Sequence, residues 1–150
     1  MGALANDRNT PTRAGELIEL GAAASKTFFA GGIVALSAAG YATPGAVAAT
    51  LIGLGRCEER VTSSAVAGAE KVKIRTGVFR YANSASGDLI AADDIGKPCY
   101  IVDDQTVALT DNSAARSIAG FIHDVDAQGV WVRFDAALAR AYVAGVSLPA

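Results

Sequence analysis

The sequence predicts an all-β protein, a small sandwich or barrel of short strands. Three observations carry that prediction. Lys71-Val72-Lys73-Ile74-Arg75 alternates charged with β-branched residues, the period of a half-buried strand. Short apolar runs end repeatedly at glycine or at Asp/Asn turn signals. Helical patterns of the length that separates parallel strands are missing, which argues against a doubly wound α/β fold.

The first stretch, residues 1–16, is polar and contains Pro11, which donates no backbone hydrogen bond and holds Thr10 extended. It carries too little apolar surface to fold on itself and reads as an arm. The body, residues 17–135, begins with Leu17-Ile18-Glu19-Leu20, ended by Gly21. Phe28-Phe29-Ala30 meets Gly31-Gly32, then Ile33-Val34-Ala35-Leu36 follows. Thr43-Pro44-Gly45 is a turn, Ala46 to Ala49 has helical propensity but few residues, and Thr50 to Leu54 is a further apolar run.

After the alternating strand, Gly77 interrupts the pattern and suggests a bulge or a close backbone approach before Val78 to Tyr81. Cys99 to Val102 is a strand turning at Asp103-Asp104, with Thr106 to Leu109 beyond it. Ser117 to Val125 and Val130 to Phe134 flank a turn at Asp126 to Gly129. The tail, residues 136–150, offers a helical turn or two before Gly145.

Composition narrows the function. The 150 residues carry a net charge of -2, and 32 alanines inflate the 51% hydrophobic content. The pI near 5.3 argues against a nucleic-acid binder, which needs a basic stripe. The uncharged run from Thr27 to Gly55 is broken by glycines and Pro44, unlike a membrane span. The N-terminal stretch lacks an apolar signal core, so a soluble, unexported domain is expected. Cys57 and Cys99 stand far apart and outside any C-x-x-C pair, as for buried reduced thiols.

Searches for chemistry find little. His123 is the one histidine, and its neighbour Asp124 points to the opposite face of a strand. A G-x-S-x-G elbow is missing, Gly96-Lys97 is followed by Pro98 instead of a magnesium-binding hydroxyl, and Gly53-x-Gly55 lacks the third dinucleotide glycine. Asp124-Val125-Asp126 with Gly129 and Asp135 loosely matches a calcium loop, although a hairpin turn uses the same residues. Asp93-Asp94 and Asp103-Asp104 read as solvated turns. Lys71, Lys73 and Arg75 form a basic face that grips phosphate, protects an edge, or complements an acidic protein surface. Trp131 reads as a core or subunit-interface anchor. The expectation is a protein that is not an enzyme and needs no cofactor and no metal.

The order of several segments resembles the head decoration (capsid cement) proteins of tailed phages and prophages, especially the Mu-like transposable type. These segments are Asn6-Asp7-Arg8-Asn9-Thr10-Pro11, Phe29-Ala30-Gly31-Gly32-Ile33-Val34-Ala35-Leu36, Gly53-Leu54-Gly55-Arg56-Cys57-Glu58-Glu59, Gly77-Val78-Phe79-Arg80-Tyr81-Ala82-Asn83-Ser84 and Ile95 to Ala108, with Gly120 to Val132 completing the set. The likeness spans about residues 5 to 134 and leaves the tail from Asp135 unmatched. It implies a β-tulip-like body that forms a homotrimer on the outer capsid surface at threefold positions, with the major capsid protein as partner. It also implies assembly in the host cytoplasm, and no nucleic-acid or membrane partner. The residues expected to touch the shell are Arg8, Pro11 and Arg13 in the arm, then Lys71, Lys73 and Arg75 for an acidic partner surface. Another virion part, a tail-tube or head-fibre base protein, and a calcium-binding module stay open as alternatives.

Overall fold

A computed structural model describes residues 2–145, and the end of the expected tail, residues 146–150, lies outside them. The described chain is β-rich, with strands β1 (Leu17–Gly21), β2 (Thr27–Phe28), β3 (Ile33–Leu36), β4 (Ala42–Pro44), β5 (Ile52–Cys57) and β6 (Val61–Thr62). These are followed by β7 (Lys71–Arg75), β8 (Val78–Tyr81), β9 (Pro98–Ile101), β10 (Val107–Ala108), β11 (Ile118–Asp126) and β12 (Gly129–Arg133), then one helix, α1 (Ala136–Val143). Ten strands join one sheet whose main path runs β1-β7-β5-β11-β12-β8, while β2 and β6 form a separate ribbon. β1 and β8 end that path without meeting, so the sheet is not closed into a barrel.

The alternation in β7 has the expected cause. Val72 and Ile74 are fully buried, while Lys71 and Lys73 are exposed on the other face. The unbroken apolar run of β3 has a different one. Ile33 and Ala35 enter a large cluster with Ile101, Val130, Val132 and Phe134, whereas Val34 enters a second with Phe28, Leu54, Val72 and Ile74. A strand covered on both faces needs apolar residues at every position. A third, small cluster seats Ala139 of α1 against Ile52 and Ile118.

Two local expectations are corrected. Thr43 and Pro44, read as a turn, belong to β4, opposite Ala35 and Val34 of β3. Ala46 to Ala49, too few residues for a helix, form bends. Ser117 Oγ donates to Ala48 O and accepts from Leu51 N at 2.8 Å, tying this stretch to β11 instead of to itself. So short a stretch makes too few helical bonds to oppose that clamp. Gly77 is also not a bulge within one strand. It is the junction where the chain leaves β7, beside β1, for β8 at the far end of the sheet, and its carbonyl accepts from Phe134 N at 2.9 Å.

Asp135 caps α1, its Oδ1 accepting from Leu138 N at 3.0 Å, which satisfies one of the orphan amides of the first turn. Cys57 and Cys99 are buried and unbridged. Burial pushes both thiols up, that of Cys99 to about 12, so both stay protonated and inert. Among the described residues, every buried side-chain nitrogen and oxygen has a partner, and no helix is long and apolar enough to cross a membrane.

Candidate interaction surface

The turn between β2 and β3 builds the centre of this surface. Phe28 is buried and its neighbour Phe29 is thrown outward, 52% exposed. Gly31 follows with φ +89°, a conformation that favours glycine, and its amide donates to Cys57 O at 2.8 Å. The Tyr81 hydroxyl donates to Gly31 O at 2.8 Å and pins the turn to β8. Burial raises the Tyr81 phenol far above its ordinary range, so it remains a neutral donor.

Three arginines lie over aromatic rings around this turn. The Arg60 guanidinium sits 5.0 Å from the Phe29 ring centre, Arg56 4.4 Å from Phe79, and Arg80 5.5 Å from Trp131. All three distances fall within cation–π range. A cleft of about 680 Å³ opens beside the turn, lined by Phe29, Gly31, Arg80, Tyr81, Asp104 and Gln128. Arg56 is neutralised by Glu58 at 2.9 Å, whereas Arg60 and Arg80 have no ion-pair partner among the described residues. An exposed aromatic beside unpaired arginines has the composition in which interface hot spots are enriched.

The sequence-predicted residues are distributed otherwise. Arg8, Pro11 and Arg13 are exposed in an arm, residues 2–14, that carries neither helix nor strand. Arg13 borders a groove over the outer face of β1 and β7, together with Leu17, Glu19, Glu58, Lys73 and Arg75. That face is less basic than its sequence. Lys73 pairs with Glu59 at 3.3 Å, and Arg75 pairs with Glu58 and, at 3.2 Å, with Glu16. Lys71 alone of the three has no ion-pair partner among the described residues. Trp131 is half-buried, not in the core, and its Nε1 donates to Asp126 Oδ2 at 2.8 Å.

The carboxylates that loosely match a calcium loop serve the hairpin and the cap of α1. Asp126 Oδ1 accepts from Gln128 N at 2.8 Å and Gly129 N at 3.1 Å, and Asp135 is occupied with its helix cap. These bonds, that of the Trp131 indole foremost, hold the Asp126 carboxyl below its usual range. Among the described residues, no group of three or more His, Cys, Asp or Glu side chains is placed to hold a metal ion. His123 is exposed where the β11–β12 register shifts between Ile122 and Asp124. Asp94 is buried and bonded to Ala91 N and Lys97, and Asp103 accepts from Gln105 N. Both acidic pairs thus stabilise turns.

The ion-pair cluster gives a pH dependence. Hydrogen bonding from Arg75, then from Arg56, holds the Glu58 carboxyl below its ordinary 4.5. A depressed carboxyl pKa contributes stability that is present above the unfolded-state value and is lost as pH falls through the folded-state value. The wild-type melting temperature should therefore exceed that of Glu58→Gln at pH 7, with the gap closing below pH ~4. A gap that stays constant across thermal melts from pH 7 to pH 3 contradicts this role for Glu58.

No family model, curated protein or solved structure matches this chain.

Proposed function

We propose that this chain is a phage capsid decoration protein, a homotrimer that binds the outer surface of the head at threefold positions and braces the shell. The observation that carries the reading is the arm. Residues 2–14 are exposed throughout and lead directly into β1 at the edge of an all-β body. A polar segment of this kind gains order by lying on a partner, and its ordering cost is met only there. DNA packaging pressurises a shell, and a clip spanning subunit junctions adds buried area where capsomers would part.

The Phe29–Arg60 stack supplies a second contact in this reading, with an acidic patch of the major capsid protein as its counterpart. The resemblance of the segment order to that of decoration proteins is the other support for this reading. Arm deletion tests it. Removing residues 2–14 should leave the melting temperature within about 1 °C, because exposed positions contribute little to the fold. The same deletion should abolish co-sedimentation with undecorated heads. Full occupancy by the truncated protein would remove the arm from the mechanism.

A further inference from the structure

We infer that copies of this chain join head to tail by strand pairing, the free edge of β1 in one copy adding to the free edge of β8 in the next. The inference rests on the homotrimer reading above and names the contact that closes the ring.

The hydrogen-bond pattern identifies which backbone groups are free. Around β1 and β7, Ala22 N donates to Glu70 O and Thr76 N donates to Glu16 O, both at 2.8 Å. With Ile18 opposite Ile74 and Leu20 opposite Val72, these fix the bonded pairs of the ladder. Leu17 and Glu19 are the alternate residues, so their N–H and C=O groups point away from β7. At the other end, Phe134 N donates to Gly77 O at 2.9 Å. Phe79 opposite Val132 and Tyr81 opposite Val130 are then the bonded pairs of β8 with β12. The N–H and C=O groups of Val78 and Arg80 point outward.

Over Leu17–Glu19 and Val78–Arg80 each edge thus offers two residues with free donors and acceptors at the same spacing, while Gly21, the third alternate residue of β1, lies against Gly68. One antiparallel register uses all of them, with Leu17 opposite Arg80, Ile18 opposite Phe79 and Glu19 opposite Val78. It forms four backbone bonds. It also puts side chains of matching character on each face. Ile18, on the side of β1 that faces the core, meets Phe79, while exposed Leu17 and Val78 share the outer face. The Glu19 carboxylate lies diagonal to the Arg80 guanidinium, within reach of two long side chains. Arg80 has no ion-pair partner within its own copy among the described residues. Exposed sheet edges invite pairing unless blunted, and neither short edge carries a proline between these residues. Two different edges meeting make a heterologous contact, which forms a ring when its rotation closes and a filament when it does not; the homotrimer reading requires the ring.

Glu19→Pro tests the contact, since the Glu19 N–H has no partner inside its own copy and proline is tolerated at such edge positions. Light scattering of the wild type should give three times 15.2 kDa, falling to a single 15.2 kDa for Glu19→Pro with an unchanged circular dichroism spectrum. A wild-type monomer at all concentrations overturns both the trimer reading and this inference. A trimeric wild type together with a folded, still trimeric Glu19→Pro overturns the strand pairing alone. Should Glu19→Pro fail to fold, the double variant Ile18→Cys with Phe79→Cys decides the matter. Under mild oxidation it should form covalent trimers that neither single variant forms, and the lack of such trimers overturns the pairing.

Discussion

Replacing Gly53 with alanine is expected to lower stability by about 3 kcal/mol, or roughly 10 °C in melting temperature for a chain of this size. Gly53 is buried in β5, opposite Ala35 of β3 on one side and pressed against β11 on the other. A Cβ there would stand 2.7 Å from the Ala119 carbonyl carbon and 2.8 Å from its Cα, with the carbonyl oxygen closer still. The obstacle is backbone, which has no rotamer to change, so β5 and β11 must separate. That separation disturbs the middle of the sheet path and the Ile52–Ile118 contact beneath α1. Gly87→Ala is the control. Nothing lies within 4 Å of the position its Cβ would take, so its melting temperature should stay within about 1 °C of wild type. Equal thermal melts for the two variants would contradict the close approach at Gly53.

The second large effect concerns binding. The double variant Phe29→Ala with Arg60→Glu should weaken attachment to heads at least about 30-fold, the scale of a hot-spot loss near 2 kcal/mol. Its melting temperature should be nearly unchanged, because both side chains are exposed and Arg60 makes no ion pair among the described residues. Lys73→Ala should weaken attachment less than about 5-fold, since Lys73 is already engaged with Glu59 in an exposed pair. Titration of labelled protein onto heads, followed by sedimentation, measures both. Losses of equal size would return the shell contact to the β7 face.

The contrast between these two surfaces shows what a sequence makes legible. Lys71, Lys73 and Arg75 announce a strand face because alternation is a local property, and the structure places them on that face. Whether the face is positive depends on Glu16, Glu58 and Glu59, which approach through the β1–β7 and β5–β7 pairings. Charge is local in sequence, but neutralisation is tertiary. The Arg–aromatic surface was hidden for the same reason. Arg80 meets Trp131 only because β8 pairs with β12, across about fifty residues of chain. One signal was available, since the Phe28-Phe29 doublet beside a turn puts one ring in and one ring out.

Other local signals were likewise decided by contacts distant in sequence. Propensity favours a helix at Ala46 to Ala49, yet a serine far along the chain, Ser117, fixes that stretch by bonding its backbone. Gly77 correctly marked a break, but its consequence, passage from one end of the sheet to the other, is set by strand order. Asp124 to Asp135 held the residue types of a calcium loop while Asp126 and Asp135 served a turn and a cap. Short-range patterns therefore gave many of the strands, the two faces of β7 and the all-β class, but not β4, whose Thr43 and Pro44 read as a turn, nor β6. Partner choice between strands decided the open sheet and the surfaces it presents.

The central claim is occupancy of threefold sites on a phage head. Image reconstruction of undecorated heads of a Mu-like phage, mixed with an excess of the purified protein, tests it most directly. The account predicts added density at the threefold positions between hexamers, three copies to a site, with the arm reaching onto neighbouring subunits. Heads that remain bare, or density confined to fivefold vertices or to the tail, would contradict it.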